Sequence, residues 1–433
     1  MDCDVKMSTA QLFHPAPDVS ADRPLRVGVL VDLALTPDAG GQVKCWQRLA
    51  EAAVAYGDRL DLTVHFSGPE PREIALSPTV RYVLLPPVLS TAKLISNVPD
   101  HTDLAPWHPR LARALGGYDV VHTTDAFFCY AQTARRFARR NGIPLVSSIH
   151  TNTPEYARIT TARLLERALG TGRAYRAAND RLGMPHWVGG IFERRLARHL
   201  ASATSALETA AEPVDGRLRH QHRGIWLRRG LDRAMFALER RDRSWFEQRF
   251  GLPPGRLIAI YAGKLNAGKN VPLLAPIVDA ARRAGAPLHL VCAGDGEERR
   301  ALEAALGAIV TCVGNIDQTE LARAYASSDL FLFPSAIDQW GFAAVEAMAS
   351  GLPALLAAGS GVATRMADCP GLRVLPGGDP HPWAETIVEL WASAERRAAM
   401  GQAARAYVEA QVPSWREVLC QDLLPVWQAA ARR

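Results

Sequence analysis

Residues 333–353 read FPSAIDQWGFAAVEAMASGLP, and this stretch determines how the rest of the chain can be interpreted. It completes an apolar run that is short enough for a buried strand and that stops at Pro334 and Ser335. Strong helix formers occupy residues 342–349, and Gly351 with Pro353 provides the usual end signals of a helix. The stretch therefore predicts a strand, a loop and a helix in direct succession.

This predicted loop and helix carry two carboxylates. Asp338 falls in the loop, and Glu346 lies about two turns further on, along the helix. Carboxylates accept charge-assisted hydrogen bonds from hydroxyl groups, and the backbone N–H groups of Gln339–Phe342 would be unpaired helix-start donors for an oxygen-rich ligand. The pattern alone favours a plainer alternative, in which Asp338 caps the helix and Glu346 is exposed.

The stretch resembles the signature of the retaining GT-B glycosyltransferases of the large sucrose-synthase-like family, glycosyltransferase family 4. That signature is written E-x7-E within P-S-x-x-E-x-F-G…E-A-M-A-x-G-x-P. Asp338 stands at its first Glu, as in some lipid-sugar transferases of the family, and Trp340 stands at its Phe. The resemblance implies that Asp338 and the segment Gln339, Trp340, Gly341 and Phe342 hold the donor sugar, and that Glu346 contacts the ribose.

Length and composition are those of a globular protein with two domains. The 433 residues are enough for two separate cores, and no apolar run approaches the roughly 20 residues of a membrane span. The N-terminus has four aspartates and no apolar h-region, so we expect no secretory signal. The seven cysteines are scattered singly, which predicts buried thiols in a reducing compartment rather than a metal site or a disulfide framework.

Alternating strand and helix patterns predict an α/β protein with two doubly wound parallel-sheet (Rossmann-like) domains. The resemblance implies the GT-B arrangement, in which these domains face each other across a cleft. We predict a disordered leader (1–22), an N-terminal acceptor-side domain (23–207), a linker (208–221) and a C-terminal donor-binding domain (222–412). In the family, the final helix (413–433) returns to the first domain.

The first half has three candidate site features at the ends of predicted strands. Gly40 and Gly41 lie between a strand and a helix, which lets a backbone approach a ligand, although such a pair is more often only a turn. His150 follows another strand, where ligands of open α/β sheets bind. The resemblance places the glycines beside the donor diphosphate and acceptor pocket, and His150 on the transferred sugar. His122 is interpreted as structural or acceptor-lining.

The second half has a lysine-containing loop, 263–270, in a chain with only five lysines. Its G-x-x-x-x-G-K pattern is one residue short of a P-loop, because Asn270 stands where Ser or Thr is needed. The family has G-R-x-x-x-x-K-G here, which implies that Lys264 and Lys269 bind the donor diphosphate. The family resemblance also implies that the loop containing Ile316 touches the nucleotide base.

The resemblance implies a hexosyltransferase that takes its sugar from a nucleotide-diphosphate donor, retains the anomeric configuration and needs no metal ion or other cofactor. The only D-x-D, Asp2-Cys3-Asp4, lies in the predicted leader and disfavours a metal-dependent GT-A enzyme. A P-loop nucleotide hydrolase and a non-catalytic binder of sugar nucleotides or nucleic acid stay open as alternatives. We expect no nucleic-acid partner.

The acceptor is predicted from charge. Residues 135–200 contain 13 arginines and four acidic residues, a net charge of +9, against +6 for the whole chain. Leu164, Leu165, Ala168 and Leu169 form an apolar stripe flanked by Arg163 and Arg167. We interpret Arg135–Leu200 either as a solvated face packed on its own domain or as a surface for an anionic membrane. We therefore expect the acceptor to be a lipid-linked or other glycan, with a soluble small molecule as the alternative. We expect a cytoplasmic protein, either without membrane contact or attached peripherally to the inner face of the membrane.

Overall fold

The computed structural model describes residues 23–36, 39–90, 103–150, 153–208, 225–336, 338 and 340–433. The predicted leader, most of the predicted linker and Gln339 lie outside the described residues. The chain forms two compact units, of which the first contains residues 23–208, 225–227 and 418–433, and the second contains 228–417. The second unit thus begins six residues after the predicted start at 222 and ends five residues after the predicted end at 412.

The first unit is built on an eight-stranded sheet. Its strands are β1 (Leu25–Ala34), β2 (Leu60–Ser67), β3 (Arg72–Ser77), β4 (Val80–Leu85), β5 (Val120–Thr123), β6 (Leu145–Ile149), β7 (Ser205–Glu208) and β8 (Ile225–Trp226). Its helices are α1 (Gly41–Ala53), α2 (Pro109–Leu115), α3 (Cys129–Asn141), α4 (Thr153–Leu169), α5 (Arg173–Arg176) and α6 (Met184–Leu200). The strand order is β3-β4-β2-β1-β5-β6-β7-β8, and every pair except β3–β4 is parallel.

The strand β3 was not predicted from the sequence. It pairs antiparallel with β4 at the edge of the sheet, and its side chains are exposed or half-buried. A polar edge strand has no buried apolar face, so its sequence lacks the hydrophobic run that identifies the central strands. The predicted parallel sheet is confirmed, with this one antiparallel strand added.

The second unit is built on a six-stranded parallel sheet. Its strands are β9 (Leu257–Ala262), β10 (Leu288–Ala293), β11 (Val310–Gly314), β12 (Leu330–Phe333), β13 (Ala354–Ala357) and β14 (Leu372–Leu375), in the order β11-β10-β9-β12-β13-β14. Its helices are α7 (Arg243–Phe250), α8 (Leu274–Arg283), α9 (Arg299–Leu306), α10 (Gln318–Ser327), α11 (Phe342–Ala349), α12 (Gly361–Arg365), α13 (His381–Ala392), α14 (Ala394–Gln411) and α15 (Trp415–Glu417).

Helices cover both faces of this second sheet. Because successive side chains of a strand point to opposite faces, Phe331 packs in one apolar cluster with Met348 of α11, whereas Leu332 packs in the other with Trp383 of α13. Strands buried on both faces are continuously apolar, which explains why β9 and β12 were recognisable from their sequences. The helix α11 spans the residues predicted for it.

Each sheet has a point at which the direction of chain progression reverses. In the second unit β9 lies between β10 and β12, and in the first unit β1 lies between β2 and β5. Ligands of open α/β sheets bind beyond the carboxyl ends of the strands at such a point. The loops after β9 and β12, and after β1 and β5, are therefore the places to look for a site.

The end of the chain belongs to the first unit. A π-helical segment (Val418–Leu423) leads into α16 (Leu424–Ala431), and Trp427 of this helix is fully buried. None of the helices among the described residues combines the length and the apolar character that crossing a bilayer requires.

Candidate functional site

Asn270 organises the loop that follows β9. Its φ is 56°, and among the described residues it is the one position other than glycine with a positive φ. The family motif has glycine here, and asparagine is one of the few residues that tolerate this backbone region. The Asn270 side-chain amide donates to the carbonyl oxygens of Pro334 (3.1 Å) and Gly377 (2.8 Å). It thereby ties together the loops after β9, β12 and β14.

The two lysines of this loop are in different environments. Lys264 is exposed, whereas Lys269 is half-buried. The Nζ of Lys269 lies 2.5 Å from Oδ2 of Asp338, so the ion pair joins the loops after β9 and β12 at the reversal point. The backbone N–H of Lys269 donates to Oδ1 of Asn266 (2.9 Å), which caps the short 3-10 turn that carries it. Only one of the two predicted phosphate-binding cations is therefore fixed in position.

Asp338 is an ionised carboxylate that also shapes its own loop. Its Oδ1 accepts hydrogen bonds from the backbone N–H groups of Trp340 (3.1 Å) and Gly341 (2.6 Å). Burial raises the pKa of Asp338, but the charge of Lys269 and these hydrogen bonds outweigh it and hold the pKa below its usual value.

Two expectations about this loop need correction. The N–H groups of Trp340 and Gly341 are not unpaired donors, because the Asp338 carboxylate accepts from both. Asp338 is not the N-cap of α11 either; Gly341 is, with a φ of 60°. A Cβ at Gly341 would come within 2.5 Å of Val362, so both the backbone conformation and the space require glycine.

Two arginines stack on Trp340. The guanidinium carbon of Arg365 lies 4.5 Å from a Trp340 ring centroid and that of Arg229 lies 5.1 Å away, while Arg365 also donates to the Trp340 carbonyl (3.0 Å). Burial lowers the pKa of Arg365, and the neighbouring charges of Asp338 and Arg229 act on it in opposite directions. Lys269, Arg229 and Arg365 are cationic side chains beside Asp338 or Trp340, and such side chains suit an anionic group such as a diphosphate.

Sequence reasoning did not identify Arg365 and gave Arg229 no role. Arg229 lies in the Arg-Gly-Leu-Asp turn that resembles the family's R-G-V-D turn. The sequence therefore indicated the turn but not the contact of Arg229 with Trp340. Arg365 comes from the short helix α12, and no sequence pattern connects it with the loop after β12. Only the fold brings them together.

The remaining predicted residues of this unit occupy different positions around α11. Glu346 is half-buried, so the alternative of an exposed helix residue is wrong. The pKa of the Tyr325 phenol is raised mainly by the burial of Tyr325 and, next, by the negative charge of Glu346. Phe342 is stacked on Trp415, with ring centroids 6.3 Å apart. Ile316 lies in the loop after β11 and packs against the apolar cluster on the α11 side of the sheet.

The first unit presents a helix start at its own reversal point. Gly40 is the N-cap of α1 and Gly41 is its first residue, in the loop that follows β1. The side chain of Gln42 donates to the hydroxyl of Thr124 (2.9 Å), the residue after β5, so this loop is connected across the reversal point. The positive end of α1 thus lies at the carboxyl edge of the sheet.

His150 follows β6 at the same edge of the first sheet. Its Nε2 lies 2.7 Å from the hydroxyl of Ser148, which in turn lies 2.9 Å from Nε2 of His122. His122 is fully buried, so it is structural and does not line an acceptor surface. Burial lowers the pKa of His122 to about 3, and its imidazole is neutral at physiological pH.

No group of three or more His, Cys, Asp or Glu side chains that could hold a metal ion occurs within the described residues. The six cysteines of this part of the chain are free thiols, four of them buried. At the position where a P-loop needs a hydroxyl for magnesium, the Asn270 amide is donated to two backbone carbonyls. Asn270 therefore does not supply the hydroxyl that the P-loop alternative requires.

Two family models match the chain. Residues 39–263, just over half of the chain, match the model described as "Glycosyltransferase Family 4", and residues 242–407 match "Glycosyl transferases group 1". The two matches between them contain the glycine loop, His150, both lysines and the stretch around Asp338.

Named relatives agree with these models. A GDP-mannose-dependent alpha-mannosyltransferase from Mycolicibacterium smegmatis is 32% identical over 75% of this chain and 78% of its own length. A D-inositol 3-phosphate glycosyltransferase from Thermomonospora curvata is 26% identical over 91% of this chain and 92% of its own.

Solved structures share the fold at low sequence identity. Sucrose-phosphate synthase from Thermosynechococcus elongatus superposes with a TM-score of 0.66 at 20% identity, covering 94% of this chain and all of that one. The catalytic domain of starch synthase IV from Arabidopsis thaliana gives 0.64 at 13% identity over 95% of this chain and all of that one. The family models and the named relatives are glycosyltransferases, which decides against the P-loop hydrolase alternative. The chain belongs to glycosyltransferase family 4: it is a glycosyltransferase with the GT-B fold that transfers a sugar from a nucleotide sugar to an acceptor.

Proposed function

We propose that this glycosyltransferase transfers a hexose, with retention of anomeric configuration and without a metal ion or other cofactor, to a lipid-linked or other glycan acceptor. The observation that carries the proposal is the group of cations around Asp338 at the reversal point of the second sheet. Lys269, Arg229 and Arg365 would neutralise the diphosphate that leaves with the nucleotide. Fixed cationic side chains at this position do the work that a metal ion does in other transferases.

The chemical step follows from this assignment. The bond between the anomeric carbon and the diphosphate oxygen breaks, and the acceptor oxygen bonds to the same face of that carbon. The acceptor proton passes to the leaving phosphate oxygen, so no protein carboxylate has to act as nucleophile. Asp338, held ionised by Lys269, accepts hydrogen bonds from hydroxyls of the sugar, and Glu346 accepts from the ribose.

GDP-mannose is the first donor to test. The similar mannosyltransferase from Mycolicibacterium smegmatis carries this donor in its name, and the two chains align over three quarters of their lengths. The described loop Gly314–Ile316 would contact the base through backbone groups, which by itself selects no particular base.

The test uses the full chain with GDP-mannose and a panel of other nucleoside-diphosphate hexoses, scored by thermal shift and by release of the nucleoside diphosphate. We expect one donor to be hydrolysed slowly without acceptor, at the same rate with and without EDTA. With an acceptor, NMR of the product should show the anomeric configuration of the donor. Loss of activity in EDTA, or an inverted product, would contradict the proposal.

The surface proposed for a lipid-linked acceptor is the tip of the helical pair α4 and α6, residues 169–187. These two helices pack against each other, and Arg158 of α4 pairs with Glu193 of α6. In the segment between them and in the first turn of α6, Leu182 is 73% exposed and Trp187 is 64% exposed. Exposed arginines at the same tip are Arg173, Arg176 and Arg181.

Exposed large apolar side chains among arginines are typical of a surface that binds an anionic membrane interface. In the stripe predicted on α4, Leu164, Ala168 and Leu169 are exposed and Leu165 is half-buried; the side chains of Arg163 and Arg167 are not among those described. We propose that the protein is cytoplasmic and attaches peripherally to the inner face of the membrane. A soluble acceptor is the alternative.

Liposome co-sedimentation at low salt separates these alternatives. We expect binding to vesicles that contain anionic lipid and none to neutral vesicles. Trp187→Ser should weaken the binding, whereas the matched Trp391→Ser, which changes an exposed tryptophan of the second unit, should not. Absence of binding by the unmodified protein would leave the soluble acceptor.

A further inference from the structure

Four polar side chains form a continuous chain of hydrogen bonds inside the first unit. Nε1 of Trp427 in α16 lies 3.0 Å from Nδ1 of His122 in β5. Nε2 of His122 lies 2.9 Å from the Ser148 hydroxyl in β6, and that hydroxyl lies 2.7 Å from Nε2 of His150. The chain joins the last helix of the protein to the residue assigned to the transferred sugar.

The direction of the first two bonds is fixed by chemistry. An indole N–H only donates, so Nδ1 of His122 must be the acceptor and carry no proton. The His122 imidazole is neutral because it is fully buried, and its single proton must then be on Nε2. The Nε2–H group donates to the Ser148 hydroxyl oxygen.

The third bond follows from the first two. Ser148 is fully buried, and within the described residues its hydroxyl is bonded to the two histidines alone. Since His122 already donates to the oxygen, the Ser148 proton is left for Nε2 of His150. A buried hydroxyl without an acceptor is unfavourable, so the arrangement with Nε2 of His150 as acceptor is preferred.

We propose that Trp427, His122 and Ser148 are positioning residues that fix the tautomer of His150, with Nε2 accepting from Ser148 and the proton on Nδ1. His150 is then held as a neutral imidazole with an N–H donor at Nδ1. Such a group suits a lone pair on a hydroxyl oxygen of the sugar. Trp46 supports the arrangement through edge contacts, with ring centroids 5.0 Å from His122 and 6.2 Å from His150.

This inference rests on the proposed function only for the role of His150 toward the sugar. The tautomer itself is a property of the protein without substrate, so it has a test that needs no activity. The inference also gives the last helix a role beyond packing, because Trp427 sets the direction of every bond that follows.

The direct test is NMR of the full chain labelled with 15N-histidine, at neutral pH and without ligand. We expect His150 to show a protonated Nδ1 and an unprotonated Nε2, and His122 to show the opposite. Spectra of His150→Gln and His122→Gln assign the two rings. A protonated Nε2 on His150, or a protonated Nδ1 on His122, would overturn the proposal whatever the enzyme's donor is.

Kinetics provide the second test. Ser148→Ala should lower kcat about three- to tenfold with little change in the KM for the donor, and Ser148→Thr, which keeps the hydroxyl, should restore most of it. Trp427→Phe, which removes the N–H, should resemble Ser148→Ala. Thr123→Val is the matched control, because it removes a buried hydroxyl bonded to a histidine, His199, that is not in this chain of bonds.

The two tests distinguish the failures. The expected ring signals without activity toward any nucleotide sugar would count against the proposed function and leave the tautomer intact. Equal loss of kcat in Ser148→Ala and Thr123→Val would show a general effect on packing and overturn the positioning role.

Discussion

The carboxyl ends of the two sheets, to which the substrate is assigned, carry different kinds of polar group. We call that of the second unit the charged edge and that of the first unit the neutral edge. The second unit uses full charges: Lys269 is paired with Asp338, and Arg365 and Arg229 stack on Trp340. The first unit uses neutral groups, with His122, Ser148 and His150 joined by hydrogen bonds. A fixed charge binds a phosphate strongly, whereas a neutral donor of fixed direction orients a sugar without competing for that phosphate. In the proposed assignment, binding and orientation are separated by chemistry as well as by domain.

The largest effect should come from breaking the charged edge. Lys269→Ala removes a charge-assisted contact worth roughly 1.5–3 kcal/mol, so kcat/KM for the donor should fall about ten- to a hundredfold. Lys264→Ala is the matched control: Lys264 is exposed, and its removal should cost less. Turnover of Lys269→Ala near that of the unmodified protein at sub-saturating donor would refute the diphosphate assignment.

Breaking the neutral edge should change a different constant. His150→Ala is expected to lower kcat by about tenfold, in the range of one hydrogen bond made in the transition state, while the affinity for the nucleoside diphosphate stays the same. Steady-state kinetics with single-turnover measurements check this. A rise in KM alone would place His150 in ground-state binding.

Buried histidines should also make the first unit sensitive to acid. Burial lowers the pKa of His199 to about 3, as it does for His122 and His65. Below about pH 6.5 these histidines bind protons in the unfolded chain but stay neutral in the folded protein. Their contribution to the free energy of unfolding is therefore complete above that pH and is lost as the pH falls toward 3.

Comparison with His199→Gln isolates this effect. Burial raises the pKa of Asp32 and Asp125, which favours the fold on acidification, but these groups are present in both proteins and cancel in the difference. Between pH 6 and pH 5 the unmodified protein should lose up to about 1.4 kcal/mol more than His199→Gln in the free energy of unfolding. Denaturant titrations followed in the first unit measure it, and parallel losses would contradict the assignment of a neutral buried His199.

The smallest effect is expected for Glu346 of α11. Glu346→Gln keeps the shape of a half-buried side chain but loses the charge that a ribose hydroxyl would meet, so the affinity for the donor should fall by only a few fold, about 1 kcal/mol. Calorimetry with the nucleotide sugar checks it. Unchanged affinity would return Glu346 to a structural role.

The sequence predicted the elements that carry a strong local pattern. The strand–loop–helix around Asp338 followed from an apolar run, a proline and a series of helix formers, and α11 has the predicted bounds. The conformation of the loop did not follow, because it depends on the Asp338 carboxylate turning back to accept from Trp340 and Gly341. Unpaired donors were expected at these positions for that reason.

Contacts between distant residues were beyond the sequence. Arg365 reaches Trp340 from a separate helix, and Trp427 meets His122 across 305 positions of the chain. Neither contact has a periodicity or a motif. The family resemblance implied roles for the residues that match its signature. It implied none for residues outside the signature, such as Arg365 and Trp427.

The central claim is that the charged edge binds the diphosphate and the neutral edge orients the sugar, and calorimetric titration with GDP tests it most directly. The Kd of GDP should rise at least tenfold in Lys269→Ala and stay within twofold of the unmodified protein in His150→Ala. Equal weakening in both variants, or weakening in His150→Ala alone, would contradict the division of roles between the two edges.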